Sequence, residues 1–354
     1  RVVAMHVLVA SDTVGALTSQ QAGEAIGSGW SGADVRVLPV GDSGTSFLPA
    51  YADLLGARVE GAVEDGHLAS TAAIDGTAAV HLAGPPTGGG LPVRASSRPL
   101  GAAMARMLQT RPGRLVVDLS GLAVHDAGAG LLAALGVVAD APLDAGVEPL
   151  GRLTRADLGP ARDRLTGVEL VGVAPAEQLR QPLLGLRGIT SLAGRAAGLD
   201  PADLLATDAA LERFTGLAAP GVSAVPGAGA CGGLGFAVLA LGGRLVSGPE
   251  LALTSERGVR ARAGVDLMLT GCSVFDFARR GGGVVAAVAE LAAGSLSPCV
   301  LVAGEVVVGA REMRAMGIEA AYAVRESSLD VPAGEVTEAE LRQTAARVAR
   351  SWRW

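Results

Sequence analysis

The chain contains no lysine: of its 354 residues, all 29 basic ones are arginine. The best-known phosphate loop ends in Gly-Lys-Ser or Gly-Lys-Thr, so that motif is excluded. Positive charge is short overall, because 35 Asp and Glu leave a formal charge of -6. A protein that grips a phosphate backbone needs a basic surface, which excludes nucleic acid as a partner. Cysteine is scarce too. Cys231, Cys272 and Cys299 are odd in number and lack CxxC spacing, which argues against a disulfide scaffold or a zinc site and for a reducing, cytoplasmic setting. Long apolar runs are also missing. The opening segment RVVAMHVLVASD meets Ser11 and Asp12 after a few apolar residues, too soon for a signal segment or a membrane span.

What is present is apolar material and glycine. Hydrophobic residues make up 49% and charged ones 18%, which supplies buried cores and argues against disorder; the length suggests two domains. The segment VPGAGACGGLGFAVLALGG, Val225 to Gly243, sets glycines on both sides of one cysteine. A glycine cluster opening a helix brings backbone N–H groups close to an anion, or lets helices pack closely, and the residues alone leave both open. Elsewhere short apolar runs alternate with helical stretches: HVLVA, VRVLPV, RVEGAVEDG and TAAVHLAG read as strands, and PPTGGGLP (85–92) as a flexible connection. RLVVDLSG, VELVGVAP, VDLMLTG and PCVLVAGEVV continue the strands. Asp200 is the expected cap of a helix from Pro201 to Phe214, and Thr337 with Glu340 forms a capping-box pattern. This alternation predicts doubly wound α/β architecture, with ligands beyond the carboxyl ends of the strands. Those ends carry Ser11 and Asp12, Gly41 and Asp42, Gly271 to Asp276, and Gly304 and Glu305.

Several of these segments, collinear over nearly the whole chain, resemble the bacterial glycerate kinases. VLVASDTVGALTSQQAGEAI resembles that family's opening strand, loop and helix, VLPVGDSGTSF its second loop, and SGLAVHDAGAGLLAALG its Asp-Gly-Gly-Ala-Gly segment. PGAGACGGLGFAVLALGGRLVSGPEL is the most specific match, and DLMLTGCSVFD resembles the family's Thr-Gly-Glu-Gly-Arg-Leu-Asp. The resemblance implies two α/β domains: a flavodoxin-like doubly wound parallel sheet (1–76 plus 264–354) with a second α/β domain (77–263) inserted. It further implies phosphorylation of D-glycerate by ATP with Mg²⁺ and admits a homodimer. Asp12, Asp42, Asp126 and Asp276 are the implied catalytic residues. Ser11, Gly44, Gly128, Gly227, Gly229, Gly232, Gly233 and Gly271 are the implied substrate or nucleotide contacts, and a cleft between the domains is expected to be lined by Asp12, Asp42, Asp126, Gly229, Gly232 and Asp276. No metal ligand is assigned. Each aspartate also suits a plain helix cap.

The chain departs from the family at polar positions. Val14 or Gly15 replaces a lysine, Thr45 an acidic residue and His125 an asparagine. Cys272, Ser273 and Val274 replace Glu, Gly and Arg; Gly281-Gly282-Gly283 stands for His-Gly-Lys, and Arg180-Gln181 for Asp-Asn. Two functions stay open at this point: a kinase using a rearranged set of arginines, and a member that binds glycerate, nucleotide or a protein without turnover. A nicotinamide enzyme is disfavoured, since the glycine motif lies late and no acidic residue follows at the expected distance.

Overall fold

The computed structural model describes residues 5–84, 90–326 and 335–352. Most of PPTGGGLP, residues 85–89, lies outside these. The strands, in chain order, are β1 (His6–Val9), β2 (Asp34–Val37), β3 (Val59–Glu64), β4 (His67–Ile74), β5 (Thr77–Ala83), β6 (Arg114–Asp118), β7 (Val138–Ala139), β8 (Ala156–Asp157), β9 (Glu169–Val173), β10 (Arg244–Val246), β11 (Leu267–Phe275), β12 (Cys299–Val306) and β13 (Ala320–Ala323). The fold is α/β, and the chain divides into two compact units, one of residues 1–42, 49–56 and 248–354, the other of 43–48 and 57–247.

The first unit holds a parallel sheet ordered β13-β12-β11-β1-β2. Counting only its own strands this is the 2-1-3-4-5 order of flavodoxin-like sheets, whose switch point lies between β1 and the strand beside it, here β11. A parallel sheet is covered on both faces, so its strands are near-continuous apolar runs. Val7, Leu8, Val9, Leu267, Met268, Leu269 and Val300 to Ala303 are accordingly sealed from solvent. The helices Ser19–Gly27 and Glu338–Ala349 press Ala22, Ile26, Leu341, Ala345 and Val348 onto one face. The helix Gly282–Ser295 packs on β11 and β12. Both capping boxes are formed, Thr18 with Gln21 and Thr337 with Glu340.

In the second unit the order is β10-β9-β6-β5-β4-β3, parallel from β10 to β5 and antiparallel from there. Two Asp-Gly turns make the antiparallel part. Asp65 and Gly66 have φ of 45° and 79°, and Asp75 and Gly76 have 46° and 75°, the positive pair that a tight hairpin requires. These hairpins tie residues 59–74 to β5, whereas the sequence led us to end the first domain at 76. The helices of 248–261, expected in the insert, belong to the first unit. The helix expected over Pro201–Phe214 runs to Ala218, and the Asp200 side chain accepts from the Ala202 N–H at 2.8 Å.

Candidate functional site

In the first unit three acidic side chains sit at strand carboxyl ends: Asp12 after β1, Asp42 after β2 and Asp276 after β11. Their loops are tied down from below. The Ser19 hydroxyl, at the start of a helix, donates to Ser11 O at 2.7 Å and accepts from the Val40 N–H at 2.8 Å, coupling the exits of β1 and β2. Asp12 N–H donates to Gly271 O at 3.0 Å, and the Thr13 N–H to Asp12 Oδ1 at 2.7 Å. Asp42 Oδ2 accepts from the Gly283 N–H at 2.9 Å, at the start of the helix Gly282–Ser295, where the macrodipole favours negative charge. A Cβ built on Gly282 would stand 3.8 Å from Asp12 Oδ2 and 3.9 Å from Asp42 Oδ2, so both carboxylates converge on the triglycine stretch. The amides there are already engaged, since Gly282 N–H donates to Arg279 O at 2.8 Å. Asp276 Oδ1 caps the next turn by accepting from the Arg279 N–H at 2.7 Å.

Two expected contacts in this unit, Ser11 and Gly271, pack against each other. Gly271 is not in a strand-end loop, because β11 runs on to Phe275 with Gly271 paired to Val302 and Val274 to Glu305. A Cβ on Gly271 would meet Ser11 Oγ at 2.6 Å, so its bare backbone admits the buried Ser11, whose hydroxyl turns to Asp12 O. Gly304 and Glu305 likewise lie within β12. Cys272 is buried in β11; burial, with the charges of Asp12 and Asp276, pushes its thiol up to about 12.

In the second unit Asp126 is fully buried, and its carboxylate accepts four hydrogen bonds: Ser97 N–H and Oγ–H at 2.8 Å each, Gly128 N–H at 3.0 Å and Gly130 N–H at 3.1 Å. Burial pushes this carboxyl up and the four donors pull it back. Oδ2 takes three of these donors and Oδ1 the fourth, so Asp126 ties two helix starts together, a structural role for a residue to which the resemblance gave a catalytic one. The neighbouring His125, through Nε2, is paired with Thr190 Oγ1 at 2.9 Å, and burial lowers it to about 4, which keeps it neutral.

The glycine segment is explained first by close approach. Cys231, Gly232 and Gly233 have φ of 50°, 68° and 89°, three left-handed residues in a row. A Cβ on Gly232 would fall 1.8 Å from Val124 O, one on Gly229 2.3 Å from Pro182 O, one on Gly227 2.7 Å from Leu179 O and one on Gly233 2.6 Å from Ala127 Cα. Gly128, across the same contact, would meet Ala237 Cβ at 2.4 Å. Beside this packing lies a cavity of about 440 Å³ whose lining includes Ser120, His125, Gln178, Gln181, Gly229 and Gly232.

A further pair went unnoticed in the sequence. Asp118, at the end of β6, accepts from His81 Nδ1 and from the Gly44 N–H at 2.8 Å each, and its other oxygen from Ser120 Oγ at 2.8 Å and Ser120 N–H at 3.0 Å. His81 Nε2 is buried with no hydrogen-bond partner. A polar residue interrupting each of the apolar strands TAAVHLA and RLVVD was the available signal. Among the described residues no three His, Cys, Asp or Glu side chains are placed to hold a metal ion together, and no helix is long and apolar enough to cross a membrane.

A flavodoxin-like sheet with acidic loops at its switch point and a second α/β unit built around a glycine turn define a two-unit α/β protein. The chain belongs to the glycerate kinase family, whose profile it matches over residues 7–353. It is 32% identical over 347 residues to an uncharacterized protein of Mycobacterium bovis, covering 91% of this chain and 85% of that one. It is 27% identical over 377 residues to the glycerate kinase of Bacillus cereus, covering 99% and 98%. Its fold superimposes with a TM-score of 0.80 on a solved structure described as "putative glycerate kinase 2" from Salmonella typhimurium, at 23% identity over 99% of this chain and 98% of that one.

Proposed function

We propose that the protein is a glycerate kinase-like phosphotransferase that moves a phosphoryl group from ATP to a hydroxyl of D-glycerate, at a reduced rate. The observation carrying this reading is the convergence of Asp12 and Asp42 on Gly282 at the carboxyl edge of the first sheet. Phosphoryl transfer asks the protein chiefly for positioning and for charge at the transferring oxygens, with a carboxylate for metal or hydroxyl. Mg²⁺ is ordinarily held by one or two carboxylates together with substrate phosphates. Asp12 and Asp42 fit that donor set and would hold it, and bound there it would neutralise charge on the phosphate oxygens. Asp42 is kept in place by the Gly283 N–H, and Asp12 by its backbone bond to Gly271.

The reduced rate follows from the triglycine. Backbone amides at Gly282 and Gly283 are spent on Arg279 O and Asp42, so this helix start steadies a carboxylate where the family resemblance implies a lysine. One lost charge contact to a developing oxyanion costs about 2.7–4 kcal/mol, on the order of a hundredfold or more in rate. The same feature favours the second reading, a member that binds glycerate or nucleotide without turnover. The test is ADP release from ATP, Mg²⁺ and D-glycerate, in wild type and Asp42→Asn. Slow turnover abolished by Asp42→Asn supports the kinase; no turnover alongside measurable D-glycerate binding supports the second reading, and turnover untouched by Asp42→Asn removes Asp42 from the site.

A further inference from the structure

We infer that the outer edge of β3 is a self-docking surface, on which a second copy of this chain lays its own β3 antiparallel. β3 is the last strand of the second sheet, so the outward N–H and C=O groups of Val59–Glu64 have no strand beside them. Such an edge is a template for another strand unless lysine, proline, a bulge or a cover guards it. β3 contains no lysine or proline, and it pairs with β4 without a bulge, from Val59 opposite Ala72 to Glu64 opposite His67. Its Glu60, Ala62 and Glu64 face the helix Arg98–Leu108, where Arg106 Nη1 lies 2.8 Å from Glu64 Oε1. The other face carries Val59, 46% exposed, and Val63, 73% exposed, with Leu68 of β4, 57% exposed, directly opposite Val63. One hairpin face thus leaves three large apolar side chains in water beside an unpaired ladder.

Charge selects the register and the occupant. A two-fold axis joining two antiparallel edges stands perpendicular to the sheet, so each face continues as the same face in the partner. With side chains alternating between faces, the axis must set one residue opposite its own copy. Centring on Glu60 brings two copies of Glu60 together, and centring on Ala62 sets Glu60 opposite Glu64 of the partner subunit, both like-charge pairs in direct contact. Centring on Gly61 avoids both. That register sets Val59 opposite Val63 of the partner subunit on the uncovered face, and the exposed Arg58 opposite Glu64 of the partner subunit on the other. Symmetry makes each pair twice, so the edge is complementary to itself in shape, polarity and charge. Gly61 lies at the centre, where a Cβ would meet nothing within 4 Å and φ is not left-handed. No neighbour within the chain calls for a bare backbone there; the close approach of another backbone does.

The test is the association state of the full chain. Sedimentation equilibrium over a series from about 1 to 200 µM is expected to show a monomer–dimer equilibrium with a Kd of about 10–100 µM, the weak class to which an interface of one short strand belongs. Val63→Lys puts a guarding charge on the edge at an exposed position, and is expected to weaken the dimer at least about tenfold while leaving Tm unchanged. Oxidation of Gly61→Cys is expected to give a covalent dimer, because directly opposite Cα atoms lie about 4.5–5.5 Å apart, within disulfide reach. Ala62→Cys is expected to stay uncrosslinked, since in this register its copies lie about 8 Å apart on the diagonal. The wild-type chain, whose Cys231 is half-buried and whose Cys272 and Cys299 are buried, sets the background for both. A chain monomeric at every concentration leaves the edge to a different partner and overturns the proposal, and that measurement needs no variant. A dimer indifferent to Val63→Lys lies on another surface and overturns it too. Crosslinking of Ala62→Cys as readily as of Gly61→Cys overturns the register.

Discussion

Replacing Asp126 with alanine separates a structural carboxylate from a catalytic one. The side chain is fully buried and takes four donors, two from Ser97 and one each from Gly128 and Gly130. Its removal strands all four in a region closed to solvent. A buried donor left unpaired costs about 1–3 kcal/mol, and because the four share one acceptor the penalties do not add fully, so the expected loss is about 3–5 kcal/mol. For a unit of this size that corresponds to a fall in Tm of roughly 10 °C. Differential scanning calorimetry of Asp126→Ala should show this fall in the transition of the second unit. Asp126→Asn should fall less, since an amide oxygen in the place of Oδ2 still accepts the three donors found there while its NH₂ opposes only the Gly128 N–H. A Tm within about 2 °C of wild type, with phosphoryl transfer or D-glycerate binding abolished, would refute the reasoning and return Asp126 to the chemistry.

Gly283→Ala places a Cβ 2.6 Å from Asp42 Oδ2; it is expected to lower turnover about tenfold or more with little change in Tm, and an unchanged rate would separate Asp42 from the reaction. Cys272→Glu with Val274→Arg, which would restore the side chains of the family motif, is expected to destabilise the protein, because position 272 is buried beside Asp12 and Asp276; a faster enzyme of wild-type Tm would contradict this. His125 has its value lowered from 6.5 to about 4 by burial. The unfolded chain therefore binds that proton more readily, and the contribution is whole above about pH 6.5 and lost as pH falls through 4, amounting to about 3 kcal/mol. His125→Asn should flatten the decline of Tm between pH 7 and 4, and an identical slope in the variant would be the contrary result. Gly232→Ala, with a Cβ 1.8 Å from Val124 O at a φ of 68°, is expected to destabilise by about 3 kcal/mol or more, read from the midpoint of urea unfolding.

Local signals in the sequence carried what depends on neighbours along the chain. The β1 and β2 strands, the capping box of Thr337 with Glu340, the Asp200 cap and Asp12, Asp42 and Asp276 at strand ends all rest on patterns a few residues long. The Asp-Gly turns at Asp65-Gly66 and Asp75-Gly76 were equally local, and giving them weight would have moved the domain boundary. Illegible parts depend on register. His81 and Asp118 meet because β5 and β6 pair in parallel with Val80 opposite Val117, and Ser97 reaches Asp126 from 29 positions away. Reading TGCSVFD as a loop failed for a related reason: β12 beside it extends the ladder as far as Phe275 and Val306, and no residue in that stretch announces its partner.

The order of the first sheet also sets a timetable for the growing polypeptide. β1 lies between β2 and β11, and His6 is hydrogen-bonded to Asp266, 260 positions downstream. At ribosomal speeds of about 5–20 residues per second, that partner emerges roughly a quarter of a minute to a minute after β1 does. During this interval the whole second unit can complete its own sheet, while Val7, Leu8 and Val9 wait with one edge unpaired. A nascent chain stalled just before Leu267 would therefore carry a finished insert and an unfinished apolar ribbon at its start, the form in which this protein is most in need of a chaperone.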